Sequence, residues 1–530
     1  MIEYKLATMP NLSTEVLFIL VKSLERAEKR NFKLYVKRNS ASADLKIIQL
    51  FDALDKMKEY DEEELLRKNE SIQKQQLSNL KAHLYDQILS SLRIVKQNEN
   101  IDLQIHEQLD HAKILYNKGL YIQSLRLLEK IKTLTKQNNQ VTYLLQVLFL
   151  EKKIEALHIT RSMQDRAQQL SVEIDEVNHR LELIAKSSNL SLQLYGWYIQ
   201  HGHARNDEDR IELDKLMHDP IMDLVKSSNG FYENLYRYQC YCWYGFITQD
   251  FLLHYRYSQK WVDLFEANEN MKQIETAQYI KGLHNLITSH FDLKNFQKLK
   301  ETISILENYS ETPIVLNNKN NLIQSFIYLY IAKINQHFLE GSFSEGLAMI
   351  PAMEAKLKEI ELYLDSHRIL VFYYKIACLY FGAGKPAKAI DYLNRIINWK
   401  LNLRDDIQCY ARLLHLIAHY ELGNTEVVNY LSKSVYRFMY KMKNLSTVEE
   451  VLFNFLRKSI QKGGEENSLL SNKEIIKKSF IHLLQTLQPL TVNKLESRAF
   501  MYLDIISWLE SKIQDKQVQT IIKEKFLANA

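Results

Sequence analysis

The chain has 530 residues, 46% of them hydrophobic and 25% charged, with 69 Lys and Arg against 64 Asp and Glu for a formal net charge of +5. So small an imbalance over so large a surface does not by itself indicate a nucleic-acid partner. Only 13 Gly and 6 Pro occur; this disfavours sheet proteins, with their frequent turns, and βαβ proteins, with their Gly-rich loops, and predicts an all-α chain of long helices and short joints.

The first apolar run, Val16 to Val21, is flanked by Glu15 and Lys22 and is too short for a secretory core or a bilayer span. Lys, Glu, Gln or Asn interrupts every later apolar stretch. Four cysteines, Cys240, Cys242, Cys378 and Cys409, are too few and too scattered for a disulfide framework. A soluble, reduced, cytoplasmic protein without membrane contact is expected.

In chain order, a helix is predicted through Leu17, Leu20, Leu24 and Ala27, running on into the basic stretch Arg26, Lys29, Arg30, Lys33, Lys37 and Arg38. Glu25 and Glu28 lie within that stretch and Phe32, Leu34, Tyr35 and Val36 are interleaved, so a solvated amphipathic face is favoured over a nucleic-acid site. A polar break at Asn39-Ser40-Ala41-Ser42 precedes a helix through Leu45, Ile48, Phe51 and Leu54. Asp61 to Glu64 sits where a further helix would begin, its carboxylates complementing the exposed N–H groups. Residues 1–98 are read as an N-terminal helical cap.

From about Ile101 a repeating pattern begins. Gly119 is followed by Tyr121, Ser124, Leu125, Leu128 and Ile131, and Gly384 by Pro386, Ala389, Ile390, Leu393 and Ile396, at the same offsets. Lys294, Gly341 and Gly423 head similar runs. Apolar positions three and four apart on one face are what a helix needs to bury a single stripe. Ser-x-x-Glu patterns at Ser342, Ser446 and Ser471 mark helix starts, and Gly463-Gly464 marks a loop. The array is assigned to residues 99–464 and a C-terminal helical cap to residues 465–530.

Ala112 and Ala377 stand seven residues before their turn glycines, where a small side chain lets two helices approach. With Gly in the turn, an aromatic or Pro two residues later and a small residue three further on, the pattern resembles the tetratricopeptide repeat. The spacing of the turns at 294, 341, 384 and 423 exceeds that family's period of about 34 and overlaps the HEAT range of about 40 to 47. Ile334 and Leu416 replace the small residue in two units, and the closing Pro is missing. The resemblance implies a right-handed α-solenoid of antiparallel helix pairs, degenerate and tetratricopeptide-like, with a HEAT-like array as second choice. It also implies a peptide-binding side on the first helices, which maps to Tyr328, Asn335, Tyr374, Tyr410 and Tyr420. The Lys and Asn set with which some members clamp a terminal carboxylate is absent from these positions.

Candidate chemistry is sparse. Gly382-Ala383-Gly384-Lys385 resembles part of a phosphate loop, but Leu379 and Pro386 stand where that loop needs Gly and Ser or Thr. Cys240 and Cys242, two apart on a helix, point about 200° from each other and do not readily share a metal. His415 and His419 share a helix face without a catalytic glutamate between them, and His201-Gly202-His203 falls in a loop before Asp207. From Phe231 to Phe265 the chain is dense in Tyr, Trp and Phe, read chiefly as core between helix pairs and alternatively as an interface. Neither a catalytic residue nor a metal or cofactor is predicted. The expected function is a non-catalytic protein- or peptide-binding scaffold; the alternative is a nucleic-acid-associated regulator with a basic N-terminal region.

Overall fold

The computed structural model describes residues 12–39, 44–69, 71–96, 100–157, 165–360, 363–399, 403–461, 473–493 and 495–529. Among these every regular element is helical. The predicted turn at 463–464, the break at 40–42 and the cap at Ser471 lie outside the described residues. No helix among the described residues is long and apolar enough to cross a membrane.

The chain divides into two compact units, Met1–Glu173 and Ile174–Ala530. In the first, Leu17, Val21, Phe32, Val36, Leu50, Phe51, Leu54, Leu84 and Ile88 form one apolar core, and Ile105, Leu109, Leu128 and Ile131 form another with Val147 and Ile154. The first predicted helix is in fact two, Leu12–Ser23 and Arg26–Asn39. Leu24 is buried in the break, and Glu28 Oε2 accepts the Glu25 N–H at 2.9 Å, satisfying a donor that a continuous helix would have used internally. Asp61 caps the Glu62–Lys68 helix as the acidic run predicts, accepting from the Glu63 and Glu64 N–H groups.

The second unit is built from helix pairs: Phe231–Ile247 with Phe251–Glu266, Thr276–Asp292 with Phe296–Ser310, Ser366–Gly382 with Pro386–Ile397, and Asp405–Glu421 with Thr425–Lys441. Lys319–Glu340 stands as a first helix between the second and third of these, and Thr276–Asp292, Lys319–Glu340, Ser366–Gly382 and Asp405–Glu421 pack in succession along the chain. The same turn closes every pair. A residue with positive φ follows the first helix, and the next N–H reaches back five residues, as in Lys385 to Tyr380 O, Asn424 to His419 O and Asn295 to His290 O. This is the Schellman closure, which satisfies carbonyls that the helix end leaves unpaired. Gly384 and Gly423 meet its φ without strain, whereas Lys294 and Gln249 adopt φ 55° and 61° at a cost of about 1 to 2 kcal/mol each. The turn at Gln249 extends the repeat upstream, to a point where the sequence offers no glycine.

The small positions behave as close approach demands. Ala112, Ala377 and Ala389 are fully buried, and Ser124 Oγ donates to Ala112 O at 2.7 Å across the crossing. Ser342 departs from the predicted cap. Its hydroxyl bonds His337 and Glu340 of the preceding helix rather than the next helix's N–H groups, because the tight turn points it backwards. At Ser446 the Glu449 carboxylate does accept the backbone N–H, at 2.7 Å. The C-terminal helices Arg498–Tyr502 and Ile505–Gln514 do not form a separate core: Ala499, Leu503, Ile505, Trp508 and Leu509 belong to the same apolar cluster as the helix pairs.

Candidate binding site

Two polar stretches lie on the first helices of the second unit, and they differ in how their charges are met. The first is sealed. Arg404, with φ 53°, opens the Asp405–Glu421 helix and folds its guanidinium onto Asp406, Nε to Oδ1 at 2.8 Å and Nη2 to Oδ2 at 2.5 Å. Its guanidinium also rests 4.8 Å from the Tyr198 ring centroid. The Tyr502 hydroxyl donates to the same carboxylate and lies 2.9 Å from His203 Nδ1. Gly202, with φ 80°, lets that carboxylate come close, since a Cβ there would collide with it. Burial works against the Asp406 charge, yet Arg404 and Tyr502 hold its carboxyl below the ordinary range. Burial pushes His203 down to about 3, so it is neutral.

The C-terminal segment supplies the seal. Tyr502 stacks on Tyr410 with centroids 4.3 Å apart and planes 8° from parallel, and its carbonyl accepts from Tyr374 Oη at 2.9 Å. Tyr410 Oη in turn donates to Glu449 at 2.7 Å. Glu496 accepts the N–H groups of Thr447 and Val448 at the start of the Thr447–Gln461 helix. Trp508 Nε1 donates to Glu421 at 2.7 Å, and the Trp508 ring lies 6.4 Å from that of Tyr420. Thus Tyr374, Tyr410 and Tyr420, which the repeat resemblance places on a peptide-binding side, face this protein's own C-terminal segment.

The second stretch is not sealed. The other two mapped residues belong to it: Tyr328 stacks on His284 with centroids 3.9 Å apart, and Asn335 Oδ1 accepts from Lys375 Nζ at 2.6 Å. Lys375 Nζ also lies 5.4 Å from the Phe338 ring and 5.9 Å from Phe291. Lys281 Nζ sits over Tyr195 at 4.8 Å and Trp243 at 5.2 Å. Burial lowers both lysines to about 8, with Arg368 adding to the effect at Lys281 and Arg404 at Lys375. His284, lowered to about 3 chiefly by burial, senses Lys375, Arg368 and Lys281 together. Burial raises Asp292 to about 8 in spite of Lys375, so it is largely uncharged at neutral pH. Arg368 is paired with Asp365 at 3.3 Å; among the described residues neither Lys281 nor Lys375 has a carboxylate within ion-pair distance.

The remaining candidates resolve as packing. Cys240 Sγ contacts Ser187 O and Cys242 Sγ contacts Ser258 Oγ, in two different apolar clusters, as their opposed directions on the helix predict. Burial raises both thiols, and raises Cys378 and Cys409 to about 12, which disfavours nucleophilic thiolates. His415 and His419 make an edge contact with ring centroids 4.6 Å apart. The Lys385 N–H is spent on the turn, so it cannot cradle a phosphate. Phe231, Trp243, Trp261 and Phe265 are buried core. In the first unit, Arg26, Lys29, Arg30, Lys33, Leu34 and Lys37 line a shallow open depression of about 470 Å³, where Asp55 pairs with Lys29 and Asp52 with Lys33.

No family model matches the chain, and no curated protein is detectably similar to it. Sequence reasoning missed Lys281, His284, Arg368 and Lys375. Their only signal was a polar residue recurring on the otherwise apolar face of a first helix.

Proposed function

We propose that this protein is a non-catalytic scaffold, a degenerate tetratricopeptide-like right-handed α-solenoid that holds a protein or peptide partner on the first helices of its second unit. The observation that carries the reading is the unsealed stretch around Lys281, His284, Tyr328, Asn335, Arg368 and Lys375. There, the half-buried Lys281, His284, Arg368 and Lys375 converge with the buried Tyr328 and Asn335, from three successive first helices. Rings that combine large contact area with polar tips, set beside desolvated charges, are the ordinary material of recognition surfaces. The stretch sealed by the C-terminal segment instead completes the fold. The test is affinity purification with the full chain, followed by cross-linking and mass spectrometry of the recovered complex. Cross-links should fall on the 276–292, 319–340 and 366–382 helices, whereas links confined to the second helices would reject the reading.

The basic depression on the Arg26–Asn39 helix supports a second reading, contact with a nucleic-acid backbone, weakened by the Asp52 and Asp55 pairings. Binding of random duplex that falls steeply with salt would favour it; no binding at about 50 mM salt would remove it.

A further inference from the structure

We infer that the stretch bounded by Lys281, Arg368 and Lys375 is a binding site for side-chain carboxylates of an extended acidic segment in a protein partner. This deepens the scaffold reading and rests on it.

The fold leaves two ammonium groups without an ionic partner among the described residues. Lys281 and Lys375 are packed among rings and neighbouring helices yet make no ion pair with a described residue. The acidic groups that Lys375 senses are the Cys378 thiol, which burial raises to about 12, and Asp292, which burial raises to about 8. A buried ammonium is stabilised only by a counter-charge or by hydrogen bonds, and of these the fold gives Lys375 a hydrogen bond to Asn335 Oδ1 at 2.6 Å. Elsewhere in the same unit the fold does supply that counter-charge, as Asp406 does for Arg404.

The geometry selects the kind of anion. Lys281 and Lys375 lie inside helices, where backbone N–H groups are committed to carbonyls four residues back, and the N–H of Arg368, in the first turn of its helix, is taken by Asp365 Oδ1 at 2.8 Å. A phosphate cradle of backbone donors is therefore not available to them, and only side-chain ammonium, guanidinium and amide groups can donate. Arg368 and Lys375 are two turns apart on one helix, about 10 Å of rise, and Lys281 stands on another. The row is longer than one carboxylate and suits several spaced along an extended chain. The Tyr195, Trp243, Phe291 and Phe338 rings beside the ammonium groups offer apolar contact to the intervening residues. Asn335 already orients Lys375.

Polyglutamate is the probe, titrated into the full chain and read by polarisation, with amine acylation at about pH 8 read by mass spectrometry in parallel. Polyglutamate should protect Lys281 and Lys375 from acylation while leaving the outer lysines Lys298 and Lys388 labelled. Lys281→Met with Lys375→Met should weaken binding by about tenfold or more and should raise the thermal midpoint, since a lone desolvated charge is removed from each helix. A merely structural role for these lysines would lower the midpoint instead. Equal acylation with and without polyglutamate, or undiminished binding by the double variant, overturns the inference. A partner whose capture is indifferent to the double substitution, but whose cross-links still fall on the first helices, overturns this site and leaves the scaffold standing.

Discussion

The sealed and unsealed stretches of the second unit are made of the same elements, inner positions of first helices carrying Tyr, His, Arg and Lys, yet they settle their charges differently. Around Asp406 the charged groups have counterparts: Arg404 pairs with the carboxylate, Tyr502 bonds it, and Tyr410 donates to Glu449, while His203 Nε2 is left without a partner. Around Lys281 and Lys375 the cations face rings, a neutral histidine and a largely uncharged aspartate. A satisfied buried network specifies the fold, whereas an unsatisfied one is a liability that folding tolerates. Tyr502, Glu496 and Trp508 of the C-terminal segment supply partners to the first stretch.

The largest effect is expected from breaking the sealed network at its centre. Asp406→Ala leaves the Arg404 guanidinium buried and unpaired and should cost about 3 to 5 kcal/mol in urea unfolding; a loss under about 1 kcal/mol would mean that the sealed stretch is no tighter than the open one. Next comes the docking of the last helix. At Gly341, φ 67°, a Cβ would meet Lys523 N at 2.5 Å and Gln519 O at 2.6 Å, whereas at Gly384, φ 72°, nothing lies within 4 Å. Gly384→Ala should therefore cost only the backbone strain, about 1 to 2 kcal/mol, and Gly341→Ala roughly 2 to 4 kcal/mol, with the C-terminal contact disturbed. Equal costs would show that this contact contributes nothing.

Tyr502→Phe keeps the stacking on Tyr410 and removes the hydroxyl shared by Asp406 and His203; denaturation should report a loss of roughly 1 to 3 kcal/mol. The smallest effect belongs to the open stretch and carries a pH signature. Burial raises Asp292 from 3.8 to about 8, so the folded state holds a proton that the unfolded state releases. That contribution is complete below the ordinary carboxylate range and is lost as pH climbs towards about 8. Asp292→Asn should match the wild type near pH 4 and become the more stable of the two as pH rises to 8. A difference that is constant with pH would place a charged carboxylate there.

Much of the fold was legible because it is local. Gly119, Gly341, Gly384 and Gly423 mark turns whose φ only glycine adopts without cost, and the runs after them bury the apolar stripe that their spacing describes. Gln249 escaped notice because a non-glycine residue pays the same strain without any signature in the sequence. The break after Ser23 escaped for a similar reason: the apolar period runs through it, and only the Glu28 bond to Glu25 shows where the backbone turns. The mapped residues Tyr328, Asn335, Tyr374, Tyr410 and Tyr420 do fall on first helices, but two face one stretch and three the other. No offset from a turn glycine could separate them.

What the sequence determined by itself was the helical class, the positions of most turns and the packing role of Cys240 and Cys242, because each follows from neighbours within a few residues. Only the tertiary structure decided which charges are compensated. His203 meets Tyr502 across 299 positions, and Asp406 meets Tyr502 across 96, so these pairings exist only once the chain has closed on itself. Lys281 and Lys375 have no carboxylate within ion-pair distance among the described residues, and the nearby Asp292 is raised to about 8 by burial.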